Sequence, residues 1–190
     1  MATNTIEVEI RGRLDDAGYD KFKAFLEEKG KHMKSQEREM ILLRDYPGYS
    51  KDFVGRSVDI RLRKTNGECE IMLKRKVENA REEVQLKLQD TDLEAVKKIV
   101  KALGCTNGIW MHRLTEAYEY HDIEWALVIA PNNIRYYEAE IAVDDPSKVA
   151  QAHATLEAEA QELGLEVLDD EGTRALIHRL DTEANKEMDL

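Results

Sequence analysis

The sequence predicts an α+β fold built mainly from antiparallel strands, and three observations carry this prediction. Polar and apolar residues alternate with period two in many separate segments, as in strands that bury one face. Helix-like apolar patterns are few and lie between those segments. Hydrophobic residues make up 42% of the 190 residues, which is enough to fill a core.

The alternating segments predict about eight strands. Five segments alternate cleanly, and each would place its apolar residues on one face of a sheet. They lie at residues 6–11, 58–63, 70–76, 83–88 and 136–143. Residues 39–45, 110–120 and 123–130 predict further strands with less regular alternation.

Three helices have a recognisable start or stop. The signals are Gly30 after the first helix, Thr91 or Asp92 before and Gly104 after the second, and Pro146 and Gly164 around the third. A short helix is expected at about residues 171–180, followed by a polar tail at 181–190 that we expect to fray. No repeat or low-complexity linker divides the chain, so we expect one domain over residues 1–190.

The net charge of −11 comes from 39 acidic and 28 basic residues, and it is unevenly distributed. Residues 138–190 hold 15 acidic residues against four basic ones, whereas residues 1–137 hold 24 of each. The overall charge repels phosphate backbones, so we expect no nucleic-acid partner. However, residues 56–76 hold seven basic residues against three acidic ones, which indicates a local site for a small anion.

Several absences point to a cytoplasmic protein without a membrane partner. No apolar run approaches the roughly 20 residues of a transmembrane helix. The first twenty residues are too charged for a signal peptide, and Cys69 and Cys105 are the only cysteines. The oligomeric state stays open, with a homodimer as one option.

Residues two apart on a strand share a face, so the charged residues should form rows. Arg61 with Arg63, and Lys74 with Lys76, would make two basic rows that need carboxylates or an anion between them. The acidic counter-row would be Glu7, Glu9, Glu138 and Glu140. These rows could line the inside of a closed barrel, or they could form surface ion pairs on an open sheet.

Six charged motifs follow one another in a recognisable order. They are E-x-E-x-R at 7–11, R-x-R at 61–63, a strand ending in Lys74, R-x-E-x-Q at 81–85, Arg113 after the second helix, and aromatic-x-E-x-E at 136–140. This order resembles the CYTH superfamily, the triphosphate tunnel metalloenzymes. That family includes class IV adenylate cyclases, thiamine triphosphatases and inorganic triphosphatases. The match covers about residues 5–165 and implies an eight-stranded antiparallel closed barrel around a charged tunnel.

The resemblance also implies a metal-dependent hydrolase of a small triphosphate-bearing molecule. Guanidinium groups suit phosphate because they offer paired donors, and carboxylates suit Mg²⁺ or Mn²⁺. The implied substrate-binding residues are Arg11, Arg61, Arg63, Lys74, Lys76, Arg81 and Arg113. The implied metal ligands are Glu7, Glu9, Glu138 and Glu140, and the implied catalytic residues are Glu7, Glu9 and Lys74.

The sequence departs from the family pattern at three places. Arg11 stands where the family has lysine, and Gln85 stands where it has a second glutamate. Residues 127–134 contain neither the acid nor the glycine that are usual before the last strand. Two alternatives therefore stay open: a class IV adenylate cyclase that makes cyclic AMP from ATP, and a non-catalytic protein that binds polyphosphate or nucleotide.

Overall fold

The computed structural model of the chain describes residues 5–77, 80–88 and 93–190. The strands are β1 (Thr5–Leu14), β2 (Lys31–Leu43), β3 (Val58–Thr65), β4 (Glu68–Val77), β5 (Ala80–Leu88), β6 (Asn107–Tyr120), β7 (Ile123–Ala130), β8 (Ile134–Val143) and β9 (Lys186–Asp189). The helices are α1 (Asp16–Lys29), α2 (Leu93–Ala102), α3 (Val149–Glu162) and α4 (Asp170–Glu183). The predicted N-cap residues of α2, Thr91 and Asp92, lie outside the described residues.

The strands form one antiparallel sheet whose neighbours follow each other in a ring. The hydrogen-bonded order is β2-β3-β4-β5-β1-β8-β7-β6-β9, and β2 also pairs with β6. Strands β1 to β8 therefore make up the ring, while β9 adds to one end of β6. The predicted α+β class and antiparallel pairing are confirmed.

The period-two pattern of β1 separates the core from the inside of the ring. Val8 and Ile10 are buried in a hydrophobic cluster with residues of α1 and α3. This cluster also contains Trp125 and Tyr137, which are fully buried. On the other side of the same strand, Glu7, Glu9 and Arg11 line a cavity within the ring. A second cluster packs α2 against the outer side of β2 and β3.

The C-terminal segment differs from its prediction at both ends. The helix is longer than residues 171–180, and the tail at 181–190 does not fray as expected. Residues Lys186–Asp189 pair with Asn107–Trp110 as β9, and the Leu190 amide donates to the Thr106 carbonyl over 2.9 Å. Met188 and Leu190 pack on the α2 cluster, so the tail contributes apolar contacts as well as backbone hydrogen bonds.

None of the helices in the described part of the chain has the length and hydrophobicity that crossing a bilayer requires.

Candidate functional site

A cavity of about 1210 Å³ lies within the strand ring. The residues predicted from the sequence to form the site all contribute to its lining. They are Glu7, Glu9, Arg11, Arg61, Arg63, Lys74, Lys76, Arg81, Arg113, Glu138 and Glu140. The structure thus brings together side chains from β1, β3, β4, β5, β6 and β8.

Lys74 connects two carboxylates at one side of the cavity. Its Nζ lies 2.7 Å from Glu7 and 2.8 Å from Glu83. Burial raises the pKa of both carboxyls, but Lys74 outweighs burial at Glu83, whose pKa falls to about 2. At Glu7 burial prevails over Lys74, so its pKa is raised. Arg63 bonds to Glu70 and lies 3.8 Å from Glu83, which extends the same network.

Asp59 is fully buried and contacts three guanidinium groups. Arg56 and Arg61 each approach it to 2.9 Å, and Arg81 approaches it to 3.3 Å. Burial raises the pKa of Asp59, but Arg61, Arg56 and Arg81 outweigh it and lower the pKa to about 2. The sequence prediction did not include Asp59, which fixes two of the predicted substrate-binding arginines.

A cluster of three carboxylates lies beside these basic groups. Ligand oxygens of Glu9, Glu138 and Glu140 all lie within 4.8 Å of one another. Burial and the charges of Glu9 and Glu7 raise the pKa of Glu140 well above its ordinary value. At Glu9, burial is outweighed by Arg11 and Lys74, which lower the pKa. Arg11 bonds to Glu9 and lies 3.0 Å from Glu138.

Glu7 does not belong to this three-carboxylate cluster, and it contacts Lys74 and Glu83. Its role as a metal ligand stays a prediction. Lys76 is exposed and donates to the Val54 carbonyl over 3.0 Å. The predicted alternative was that the basic rows form ion pairs, and Arg63 does pair with Glu70 and Lys74 with Glu83. They lie within the cavity lining, with side chains only 5–12% exposed.

Arg38 is a cavity-lining cation that the sequence prediction missed. It lies opposite Arg113 in the β2–β6 register, and its Nε is buried without a hydrogen-bond partner. Among the described residues, its side chain donates one hydrogen bond, to Gln36 over 2.6 Å. Arg113 is 5% exposed and donates only to neutral oxygens, those of Tyr136, Asn185 and the His112 carbonyl. Within the described residues, neither guanidinium has a carboxylate partner.

The electrostatics of Arg38 fit this picture. Burial has the largest effect and lowers its pKa, and the charge of Arg63 lowers it further, so that the opposing charges of Glu138, Glu140 and Glu70 are outweighed. A cation that is partly desolvated beside a second cation is stabilised by an anion in the same space. Gln36, Arg38 and Met40 are two residues apart, so they share one face of β2. The sequence prediction began this strand at residue 39 instead of 31 and therefore missed Arg38.

Helix α4 and the β2–β3 connection both contribute residues to the cavity lining. Leu176 and Leu180 of α4 pack against Val128 and Tyr136. Arg174 of α4 bonds to Asp52 of the connection over 3.2 Å. The centre of the Phe53 ring in the connection lies 4.9 Å from the guanidinium carbon of Arg11 and 4.9 Å from that of Arg81. These contacts hold α4 and the connection beside the site.

Comparison with solved structures identifies the fold. The chain resembles the PH1819 protein from Pyrococcus horikoshii (21% identity, TM-score 0.70, covering 86% of this chain and 93% of that one). It also resembles a Vibrio parahaemolyticus protein provisionally named an adenylate cyclase (18% identity, TM-score 0.64, covering 86% and 91%). A third similar structure is HpAC1 from Hippeastrum, which is described as having a dominant triphosphatase activity (16% identity, TM-score 0.53, covering 86% and 89%).

These likenesses show that the chain has the fold of the CYTH-type proteins, as the order of its charged motifs predicts. No protein-family model and no curated protein matches the sequence.

Proposed function

We propose that this protein hydrolyses a small triphosphate-bearing molecule with the help of a divalent cation, inside the strand ring. The observation that carries the proposal is the presence of two kinds of group in one cavity. Arg38 and Arg113 lack carboxylate partners among the described residues, while Glu9, Glu138 and Glu140 form an acidic cluster. A triphosphate with its cation matches both groups at once. The dominant triphosphatase activity described for HpAC1 supports this assignment.

The three-carboxylate cluster fits Mg²⁺ or Mn²⁺. Both are hard cations that prefer oxygen ligands, and Mg²⁺ commonly takes one or two protein carboxylates with phosphate oxygens and water. The raised pKa of Glu140 indicates that burial and repulsion between the carboxylates destabilise the fully ionised cluster. A bound cation would offset that repulsion. When bound, the cation supplies neutralisation of the charge on the transferred phosphoryl group.

The remaining residues bind the substrate and move a proton. Arg38, Arg63 and Arg113 hold phosphate oxygens, and we take the ring to act as a closed barrel that keeps bulk water away from them. Water forms a bond to the terminal phosphorus as the bond to the bridging oxygen breaks. Glu7 accepts the proton of that water at a carboxylate oxygen, and burial raises its pKa, which makes its carboxylate a stronger base. Lys74 orients Glu7 through their 2.7 Å contact.

An assay of phosphate release tests this proposal. The protein is incubated with Mg²⁺ or Mn²⁺ and tripolyphosphate, thiamine triphosphate or ATP. We expect phosphate from at least one of them, and a loss of about 100-fold or more in Glu7→Ala and Lys74→Ala. Glu162→Ala and Lys98→Ala are matched controls, because both side chains are exposed on helices away from the cavity lining. If both site variants equal the parent, the residue assignment is wrong.

Product analysis separates this activity from its two rivals. The name of the Vibrio relative favours cyclisation as the second candidate, in which the ribose hydroxyl attacks the α-phosphate. Cyclic AMP and diphosphate would be the products of a cyclase, and inorganic phosphate that of a hydrolase. The absence of an acid in residues 127–134 keeps a non-catalytic binder open as well. Such a binder would give heat on titration with tripolyphosphate but no turnover with any metal.

A further inference from the structure

One wall of the cavity is apolar. Met40 and Leu42 of β2 lie opposite Met111 and Ile109 of β6 in the strand register, and all four line the cavity. Helix α4 adds further apolar lining residues, which are Leu176, Ile177 and Leu180. Leu176 and Leu180 pack with Val128 and Tyr136 of β7 and β8.

This wall begins where a row of phosphate-binding residues ends. In the β2–β3 register, Met40 lies opposite Arg63 and Leu42 lies opposite Arg61. The same two apolar residues thus neighbour basic groups on one side and apolar side chains of β6 on the other. A ligand that spans this boundary needs a charged part and an apolar part in direct succession.

Resting on the proposed function, we propose that the substrate is a polyphosphate monoester whose organic group is apolar and occupies the wall formed by Met40, Leu42, Ile109 and Met111. Inorganic triphosphate is charged along its whole length and offers no apolar group to this wall. A nucleobase presents several hydrogen-bonding groups, and hydrocarbon and thioether side chains satisfy them poorly. A hydrocarbon group gains affinity by about fourfold for each methylene that it buries.

Titration calorimetry with synthetic esters tests this inference without requiring turnover. Methyl triphosphate and hexyl triphosphate carry the same charge and differ only in the length of the apolar group. We expect the Kd of the hexyl ester to be at least about tenfold below that of the methyl ester. Met40→Gln and Met111→Gln keep the side-chain length but add polar atoms. Either change should reduce the ratio of the methyl-ester Kd to the hexyl-ester Kd to below about threefold.

Met33→Gln is the matched control, because Met33 belongs to β2, is 43% exposed and does not line the cavity. It should keep the parent ratio. Equal Kd values for the two esters in the parent would overturn the inference, and so would an unchanged ratio in both Met40→Gln and Met111→Gln. A tighter Kd for ATP than for the hexyl ester would overturn it in favour of a nucleoside substrate.

The proposed function is tested separately, by phosphate release. Turnover of tripolyphosphate and both esters at equal KM would contradict the apolar substrate and leave the hydrolase intact. Tight hexyl binding with no turnover of any triphosphate would contradict the hydrolase and support the apolar subsite alone.

Discussion

Glu9 and Glu140 lie opposite each other on β1 and β8, so two carboxylates are paired in register at the cavity wall. Their pKa values shift in opposite directions. Arg11 and Lys74 lower the pKa of Glu9, whereas burial and the neighbouring carboxylates raise the pKa of Glu140. A raised pKa means that the folded protein binds the proton more tightly than the unfolded chain does. The contribution of Glu140 to stability is therefore present below about pH 4.5 and is lost as the pH rises through its folded pKa.

Glu140→Gln should consequently stabilise the metal-free protein at pH 7.5 by about 1 kcal/mol, because it removes the like-charge repulsion. Mn²⁺ at 100 times its Kd should stabilise the parent by about 2.7 kcal/mol. The variant should lose most of that gain. Thermal unfolding with and without Mn²⁺ measures both effects, and the exposed Glu162→Gln is the control. A variant that responds to Mn²⁺ like the parent would exclude Glu140 as a ligand.

Arg38→Met should weaken binding without weakening the fold. Arg38 has no carboxylate within ion-pair distance among the described residues, and burial and Arg63 outweigh the opposing charges of Glu138, Glu140 and Glu70 at its pKa, so its loss removes a destabilised cation. We expect the Kd for tripolyphosphate to rise about 10- to 100-fold, the effect of losing a charged hydrogen bond. Calorimetry measures the Kd, and urea unfolding should give a free energy no lower than that of the parent. Arg179→Met, on the exposed side of α4, should change neither quantity. An unchanged Kd in Arg38→Met would remove this residue from the site.

Asp59→Asn should destabilise the protein by about 3–5 kcal/mol at pH 7, because it leaves Arg56, Arg61 and Arg81 without their buried anion. The folded pKa of Asp59 is about 2, below its ordinary value of about 3.9. Its contribution to stability is hence present above about pH 4 and lost as the pH falls toward 2.

Urea unfolding of the parent and of Asp59→Asn between pH 7 and pH 2 measures this contribution. The difference between the two proteins should shrink as the pH falls. Asp122→Asn, an exposed turn residue, should stay within about 0.5 kcal/mol of the parent. A constant difference over the whole pH range would show that Asp59 is not ionised in the fold.

Met188→Ala tests the strand that replaces the predicted frayed tail. Met188 pairs with Gly108 in the β9–β6 register and packs on the cluster of β2, β3 and α2. Truncating this half-buried side chain should cost about 1 kcal/mol in the free energy of unfolding. Asp189→Ala, at the exposed neighbouring position, should stay near zero. An unchanged free energy of unfolding in Met188→Ala would indicate that the tail frays, as the sequence predicted.

The charged strands were predictable because local alternation fixes which residues share a face. Glu7, Glu9 and Arg11 alternate with buried Ile6, Val8 and Ile10, and the structure places them in the cavity lining as that spacing predicts. Local alternation does not indicate that β1 lies beside β8, which brings Glu9 next to Glu140. The order of the charged motifs predicted that these distant strands contribute to one site.

Other features depend on contacts that no local pattern carries. Arg38 was not predicted because the first part of β2 is polar on both sides, with Lys31, Lys34 and Glu37 among its residues. Asp59 resembled any other alternating polar residue, and only its three arginine partners distinguish it. The tail looked unstructured because four residues with one apolar side chain form a strand only where β6 offers an open edge.

In the proposed reaction, water attacks the terminal phosphorus of a triphosphate bound in this cavity. The most direct measurement is an incubation in ¹⁸O-labelled water with Mn²⁺ and hexyl triphosphate or ATP, followed by mass spectrometry of the products. We expect one ¹⁸O atom in the released inorganic phosphate and none in the remaining diphosphate ester. Cyclic AMP with unlabelled diphosphate, or no labelled phosphate from either compound, would contradict it.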